Sequence, residues 1–199
     1  MCYAKDIMKY THKIEQAIRK ASLLHRGQLR KGDGSTPFIE HPFAVALILN
    51  EYTDDEDIII TGILHDTVEE TDYTFDDIEN DFGKTIRDMV ASMTEVKKRD
   101  EEDVLWLERK ERYLSLMNKM NESELIVSAA DKFHNLSSLL YDYEKMGEEL
   151  WSKFNSPADK RLWFYKEALK ILKKRLTHPL VIELDKTFEN AKKVFNINP

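Results

Sequence analysis

The sequence predicts an all-α, single-domain fold, and two observations lead to that class. Apolar residues recur at spacings of three and four in almost every segment, as they do on one face of an α-helix. Alternation of apolar and polar residues, which is typical of half-buried strands, does not continue over any convincing length. The chain has 199 residues, which favours one domain around one core. We therefore expect a bundle of helices that forms one domain, 1–199.

The first predicted helix carries a single apolar stripe that ends at a histidine. The stripe places His25 on the inner face near the end of the helix. The following segment, 26–37, breaks the pattern because it holds three of the six glycines and closes with a proline. The residues of the stripe are Ile7, Thr11, Ile14, Ile18, Ala21 and His25.

The second and third predicted helices lead into the most polar part of the chain. Proline follows His41 at an early helix position, where its missing N–H costs little. Thr53 and Glu56 have the spacing of a capping box, which predicts the start of the third helix. That helix is expected to continue through the apolar run 58–64 and to carry His65 and the acidic residues after it.

The remaining helix boundaries follow from caps and helix breakers. In chain order they are a capping box at Thr74 and Asp77, a stop at Gly83, a helical pattern over 84–93, a highly charged helix over 101–120, a cap at Ser123, a loop at 155–157 and a last helix at about 178–195.

Composition excludes several classes of partner. The net charge of −7 and the pI near 5.5 argue against broad binding to nucleic acids or acidic membranes, so we expect a small-molecule substrate. The single cysteine, Cys2, cannot form an internal disulfide. No apolar run reaches membrane-spanning length, and the polar start at Lys5 and Asp6 does not resemble a signal peptide. We expect a cytoplasmic protein.

The segment 64–71, LHDTVEET, places a histidine and several carboxylates at the end of an apolar run. Charged groups are costly to bury without partners, and a divalent metal compensates several of them at once. On a continuous helix His65 and Glu69 share one face. Asp66 and Glu70 then share the adjacent face. This acidic cluster predicts two metal ligands beside two groups that can handle water.

Two other segments supply residues suited to the same metal. His41 opens a helix, and Asp131 ends the apolar run 125–130. Nitrogen and oxygen donors without a thiolate favour Mn²⁺, Fe²⁺, Mg²⁺ or Zn²⁺. Each residue also has a structural interpretation, such as a buried salt bridge between Asp131 and Lys132. Together with the acidic cluster, the three segments favour a metal site.

Five ordered motifs identify a family resemblance. His41, the pair His65-Asp66 and the distant Asp131 match the H…HD…D pattern of the HD phosphohydrolase superfamily. The resemblance extends into WLERKERY (106–113) and LWFYKEAL (162–169), so it covers roughly 8–175. The motifs that most closely resemble the small alarmone hydrolases, single-domain relatives of the hydrolase half of the bifunctional stringent-response enzymes, are HRGQLRKGDGSTPFIEHP (25–42), LHDTVEET (64–71), DFGKTIRDMV (81–90) and AADKFHNL (129–136).

The resemblance implies a role for each matching residue. Glu69 and Glu70 fall on the family's paired acids, which position and deprotonate the attacking water. The second acid of the family is usually aspartate, so Glu70 places the rate or the substrate preference in question. The residues that match the metal ligands, usually occupied by Mn²⁺, are His41, His65, Asp66 and Asp131.

Substrate contacts are also implied by the resemblance. The basic residues among them have a plain alternative, a solvated loop or helix face. The basic run 97–99 is interpreted as a surface loop without a role. The matching residues are Arg30 and Lys31 beside the guanine, Asn135 at the sugar, Lys110 and Arg112 at the phosphates, and Tyr165 near the pocket.

The function implied by the resemblance is metal-dependent removal of the 3′-diphosphate from guanosine 3′,5′-bis(diphosphate) and its pentaphosphate relative. A chain of this length has no room for a synthetase domain, so degradation alone is expected. One alternative is the same site acting on another phosphorylated nucleotide, such as one with a 2′- or 3′-phosphate. A second alternative is a nucleotide-binding sensor, which the intact set of ligands and acids disfavours.

Overall fold

The structure, a computed structural model, describes residues 10–99 and 102–197, and its regular structure is almost entirely helical. The all-α prediction is therefore confirmed, whereas the predictions for Cys2, Ile7 and residues 5–6 lie outside the described residues. A 3₁₀ helix occupies Gly147–Lys153. The α-helices are α1 (His12–Leu24), α2 (Glu40–Asn50), α3 (Glu56–Leu64), α4 (Thr67–Glu70), α5 (Phe75–Phe82), α6 (Lys84–Met93), α7 (Trp106–Met117), α8 (Glu122–Met146), α9 (Ala158–Arg175) and α10 (Pro179–Val194).

A short hairpin precedes α7 and corrects one predicted boundary. Strands β1 (Lys98–Arg99) and β2 (Glu102–Asp103) pair antiparallel. The backbone N–H of Val104 donates to the carbonyl of Lys97 at 2.9 Å and closes the hairpin. Because the chain enters α7 only after this pairing, the prediction of a helix from residue 101 is wrong at its start.

Two predicted helix caps are also wrong. The side chain of Asp55 caps α3, and Thr53 Oγ1 instead accepts a hydrogen bond from the Asp55 N–H. The cap of α8 is Asn121, which forms a capping box with Glu124 and starts the helix two residues earlier than Ser123 would. In both cases several polar residues of similar propensity are adjacent, so composition alone does not select among them.

The apolar helix α3 does not continue through the acidic cluster, so the predicted continuous helix is wrong. It ends at Leu64, and α4 begins at Thr67. His65 Nδ1 lies 2.8 Å from the carbonyl oxygen of Gly62, and Thr67 Oγ1 donates to the carbonyl of Leu64 at 2.7 Å. Side chains thus occupy carbonyls that amides one turn later would otherwise use. The break places Asp66 between two helices.

Close packing of α2 on α3 brings the histidine segments together. A Cβ atom on Gly62 would lie 2.5 Å from Leu49 Cδ1, so glycine permits this approach. The start of α2, with His41, consequently lies beside the end of α3, with His65. The long helix α8 packs against α2, α3 and α10. Over 10–99 and 102–197, no helix has both the length and the apolar composition needed to cross a membrane.

Candidate active site

The four residues predicted as metal ligands meet at one point. His41 Nε2 lies 3.2 Å from both His65 Nε2 and Asp131 Oδ1. Asp66 Oδ2 lies 3.5 Å from His41 Nε2, and Asp66 Oδ1 lies 3.4 Å from His65 Nε2. Two ligands that bind one ion at about 2.1 Å are separated by about 3.0–3.4 Å. His41, His65 and Asp66 therefore have the mutual spacing of ligands around a single divalent ion. Asp131 Oδ1 lies within 3.7 Å of both imidazoles and faces the same point.

Both imidazoles are oriented through their second ring nitrogen. His65 Nδ1 donates to the carbonyl of Gly62, which leaves the Nε2 lone pair facing the site. His41 Nδ1 lies 2.7 Å from His134 Nδ1, and His134 Nε2 lies 3.1 Å from Glu40 Oε1. If His134 donates to Glu40, it accepts from His41 and leaves the His41 Nε2 lone pair free as well. Glu40 and His134 are not among the predicted site residues, because this contact joins distant segments.

The carboxylate of Asp131 is held on both oxygens. Lys132 Nζ lies 3.0 Å from Oδ2, and Asn135 Nδ2 donates to Oδ1 at 2.5 Å. Lys132 is only 3% exposed and also donates to the hydroxyl of Tyr113 at 3.0 Å. Burial alone would raise the pKa of Asp131, but Lys132 and the two imidazoles hold that pKa well below its ordinary value. The salt bridge proposed as a structural alternative is thus present alongside the ligand arrangement.

The two imidazoles differ in their affinity for a proton. Burial lowers the pKa of His41 to about 4 despite the neighbouring carboxylates. Burial also acts to lower the pKa of His65, but Asp66 and Asp131 outweigh it and raise that pKa to about 9. A proton and a divalent ion therefore compete for His65, and metal binding must release the proton.

The predicted acid pair lies on α4, beside the loop that follows α6. The backbone N–H of Glu95 donates to Glu69 Oε2 at 3.1 Å. Lys97 Nζ lies 3.3 Å from Glu69 Oε1 and 2.6 Å from Glu70 Oε1. Burial, followed by the charges of Asp66 and Glu95, raises the pKa of Glu69 to about 7. Lys97, to which the sequence assigns no role, lines the same cavity and directs its charge at both acids.

One cavity of about 550 Å³ connects the candidate metal site with the acid pair. It is lined by the four candidate ligands and by both acids. Its size is typical of a site for a small molecule. The predicted substrate residues that also line it are Arg30, Lys31, Lys110, Asn135 and Tyr165.

Arg112, which was expected to contact the phosphates, does not line the main cavity. Its side chain is exposed and borders a separate small pocket beside Val104. Arg109 and Lys110 line the main cavity, and Arg109 also borders the small pocket. Arg112 lies about one turn further along α7 and borders the small pocket alone. The position that sequence reasoning missed on α7 is therefore Arg109.

The cavity holds a local set of cations in an otherwise acidic chain. Arg30 Nη2 donates to Asn135 Oδ1 at 2.9 Å. Lys110 Nζ lies 2.5 Å from Glu95 Oε1, and Arg109 Nη1 lies 3.5 Å from Glu95 Oε2. Arg109 Nε is buried and has no hydrogen-bond partner among the residues that the structure describes. These cations can bind an anionic ligand by donating charge-assisted hydrogen bonds to it.

The chain is similar to one protein family and to proteins from several organisms. The HD domain family matches residues 17–156, which include all four candidate ligands. A GTP pyrophosphokinase of Streptomyces coelicolor is 36% identical over 129 residues, which are 64% of this chain. The match spans 15% of the length of that longer relative.

Shorter relatives match over most of their own length. The guanosine-3′,5′-bis(diphosphate) 3′-pyrophosphohydrolase MESH1 of Homo sapiens is 36% identical over 140 residues, 69% of this chain and 73% of that protein. Its counterpart in Mus musculus is 38% identical over 126 residues, 62% of this chain and 68% of that protein. A solved structure of a metazoan ortholog of SpoT that hydrolyzes ppGpp has a TM-score of 0.75 and 26% identity, covering 92% of this chain and 97% of its own.

Proposed function

The chain belongs to the HD-domain family and, within it, to the small alarmone hydrolases, and we propose that it hydrolyses guanosine 3′,5′-bis(diphosphate) and the pentaphosphate relative. Water would attack the phosphorus next to the ribose 3′-oxygen, and the bond between that oxygen and phosphorus would break. For the bis(diphosphate), the products would be pyrophosphate and guanosine 5′-diphosphate with a free 3′-hydroxyl. The observation that carries the proposal is the convergence of two carboxylates on two imidazoles at N···O distances of 3.2–3.7 Å, in one cavity with an acid pair and several cations. Hydrolysis of a phosphate ester needs both stabilisation of negative charge and a base for water.

We propose that His41, His65, Asp66 and Asp131 hold one divalent ion, Mn²⁺. The all-nitrogen-and-oxygen donor set and the orientation of both imidazoles support a divalent metal there. Such an ion, when bound, supplies positive charge to the phosphoryl oxygens and makes water more acidic.

Glu69 and Glu70 are proposed to orient and deprotonate the attacking water. A base is most effective when its pKa lies near the working pH, and the pKa of Glu69 is raised to about 7. Glu69 is also the more buried of the two, with 16% of its side chain exposed against 35% for Glu70. We therefore propose Glu69 as the base and Glu70 as the residue that orients the water.

The remaining lining residues are proposed to hold the nucleotide. Arg30, Lys31, Asn135 and Tyr165 would contact the base and ribose, since all four line the cavity. Lys110 is proposed to contact the phosphates, together with Arg109, because the exposed Arg112 lies outside the cavity.

We further propose one domain over 1–199 that works in the cytoplasm without nucleic-acid partners. The net charge of −7 and the single cysteine support this setting.

The direct test is a product screen of the Mn²⁺-loaded protein with the alarmone and other phosphorylated nucleotides, including 2′- and 3′-phosphates. We expect pyrophosphate and guanosine 5′-diphosphate from the alarmone. Glu70 replaces the usual aspartate, which puts the substrate preference in question. Faster phosphate release from another nucleotide would favour the alternative in which the same site acts on that nucleotide. Binding of the alarmone in the presence of Mn²⁺ without release of pyrophosphate would exclude the proposed hydrolase activity.

The ligand assignment is tested separately by calorimetry. His65→Ala and Asp66→Ala should lose both Mn²⁺ binding and turnover. The exposed His12 provides the matched control, His12→Ala, which should bind Mn²⁺ like the unaltered protein. Full turnover with retained metal in either site variant would contradict the assignment.

A further inference from the structure

The loop 94–97 makes polar contacts with both acids of the pair. The Glu95 backbone N–H donates to Glu69 Oε2 at 3.1 Å, and Lys97 Nζ lies 3.3 Å from Glu69 Oε1. Glu69 is thus held on both carboxylate oxygens. The same ammonium group lies 2.6 Å from Glu70 Oε1. One cation therefore joins two carboxylates on successive residues.

This cation occupies a strongly negative environment. Asp66 and Glu95 both act on Glu69 as neighbouring negative charges, and Glu70 adds another carboxylate. Carboxylates this close together repel, and without compensation their side chains would turn apart. Two further cations of the described residues, Arg109 and Lys110, are directed at the carboxylate of Glu95. Lys97 consequently compensates the acid pair itself.

The backbone that carries Lys97 is fixed on both sides. The Thr94 N–H donates to the carbonyl of Val90 at 3.1 Å, where α6 ends. The carbonyl of Lys97 accepts from the Val104 N–H at 2.9 Å and closes the hairpin. An ordinary surface ion pair has little effect because two flexible side chains must be ordered to form it. Here the lysine extends from a fixed backbone, and it lines the cavity that holds the candidate ligands.

We propose that Lys97 is a positioning residue for hydrolysis, which holds the carboxylates of Glu69 and Glu70 together in the orientation that the attacking water requires. This inference rests on the proposed function. Lys97 transfers no proton in this role and contacts the reacting atoms only through the two acids. Loss of its charge should therefore affect the chemical step more than substrate binding.

The test compares two substitutions of Lys97 with a matched control. Lys97→Gln removes the charge at nearly the same length, and Lys97→Arg keeps the charge. Lys13→Gln serves as the control, since Lys13 pairs with Asp57 at 2.8 Å and its side chain is 35% exposed, against 36% for Lys97. Lys13 does not line the cavity.

Steady-state kinetics with Mn²⁺ and the alarmone should separate these variants. We expect Lys97→Gln to lower kcat about tenfold to hundredfold, a part of what a positioned base contributes, with little change in KM. The acidic limb of its pH profile should move to higher pH, because the cation that favours ionised Glu69 is gone. Lys97→Arg should recover most of kcat. A Lys97→Gln protein with the kcat and pH profile of Lys13→Gln would overturn the inference, as would a rise in KM alone.

Crystal structures give a readout that does not depend on turnover. The Glu70 carboxylate should keep its place in the unaltered protein and in Lys97→Arg, and should turn away in Lys97→Gln. If the unaltered protein releases no pyrophosphate from the alarmone, the proposed function fails, and the position of Glu70 still decides the role of Lys97. A carboxylate that stays in place in Lys97→Gln would overturn that role.

Discussion

His41 Nδ1 lies 2.7 Å from Nδ1 of His134, a residue 93 positions later in the chain. His134 Nε2 in turn lies 3.1 Å from Glu40, so a row of three side chains leads from a partly exposed carboxylate to a candidate ligand. Burial lowers the pKa of His134, which favours the neutral ring that can accept from His41. The row determines which nitrogen of His41 faces the candidate metal site.

Replacement of His134 by phenylalanine should weaken Mn²⁺ binding. The substitution keeps a ring but removes the acceptor for His41, and loss of such an outer contact typically costs about 10–100-fold in metal affinity. Isothermal titration calorimetry measures the change. The matched control is His12→Phe at an exposed position, which should leave the affinity unchanged. Equal affinities in the two variants would remove His134 from the site.

The activity should fall as the pH drops below about 7. The pKa of Glu69 is raised to about 7 by burial and by Asp66 and Glu95, so the carboxylate is a base above that pH and is protonated below it. A bound divalent ion lowers the pKa, as Lys97 does, and the acidic limb of kcat should therefore lie at or below pH 7.

The pH dependence is assigned to Glu69 by substitution. Glu69→Gln should keep Mn²⁺, lower kcat by about 10²–10⁴-fold and abolish the acidic limb. Stopped assays of pyrophosphate release between pH 5 and pH 9 (about two units on either side of neutrality) provide the measurement. Glu79→Gln, at an exposed position on α5, is the control. An unchanged limb in Glu69→Gln would assign the titration to another group.

Substitutions on α7 should differ according to which side chains line the cavity. Lys110→Ala should raise KM about tenfold or more, because a charge-assisted contact to phosphate is lost. Arg112→Ala should leave KM nearly unchanged, since Arg112 is exposed outside the cavity. Initial-rate kinetics on the two variants check this difference. Equal increases in KM would restore Arg112 as a phosphate contact.

Gly62→Ala should destabilise the protein by forcing α2 away from α3. The added Cβ would lie 2.5 Å from Leu49 Cδ1, and excess volume in a packed core costs about 1–3 kcal/mol of unfolding free energy. Urea unfolding measures that loss. Leu49→Ala in the Gly62→Ala background should cost less than in the unaltered protein, because it makes room for the methyl group. Additive costs would contradict the packing explanation.

Local sequence signals predicted those parts of the fold that local contacts determine. The capping box of Thr74 and Asp77 is present at the start of α5, since both partners lie within one turn. The break at His65 and Asp66 was not predictable from the apolar pattern. It depends on side chains that compete for backbone carbonyls, while the periodicity of the apolar residues continues.

The candidate ligands were recognisable because their residue types and order carry information. Lys97 and His134 gave no such signal, because a lysine in a basic run and a histidine on a helix are common on ordinary surfaces. Their significance depends on tertiary contacts with Glu70 and His41. Arg109 and Arg112 lie three positions apart on α7, and the apolar pattern does not reveal that only Arg109 reaches the main cavity, because that depends on how the helix packs.

The interruption between α3 and α4 places the candidate ligand His65 and the acid pair on different helices. His65 ends one helix, whereas Glu69 and Glu70 belong to the next, a segment of four residues. We therefore expect a change between aspartate and glutamate at position 70 to be accommodated within α4, while α3 keeps His65 in place. Substitutions in this four-residue helix should alter the chemistry of the site more than the position of its histidines.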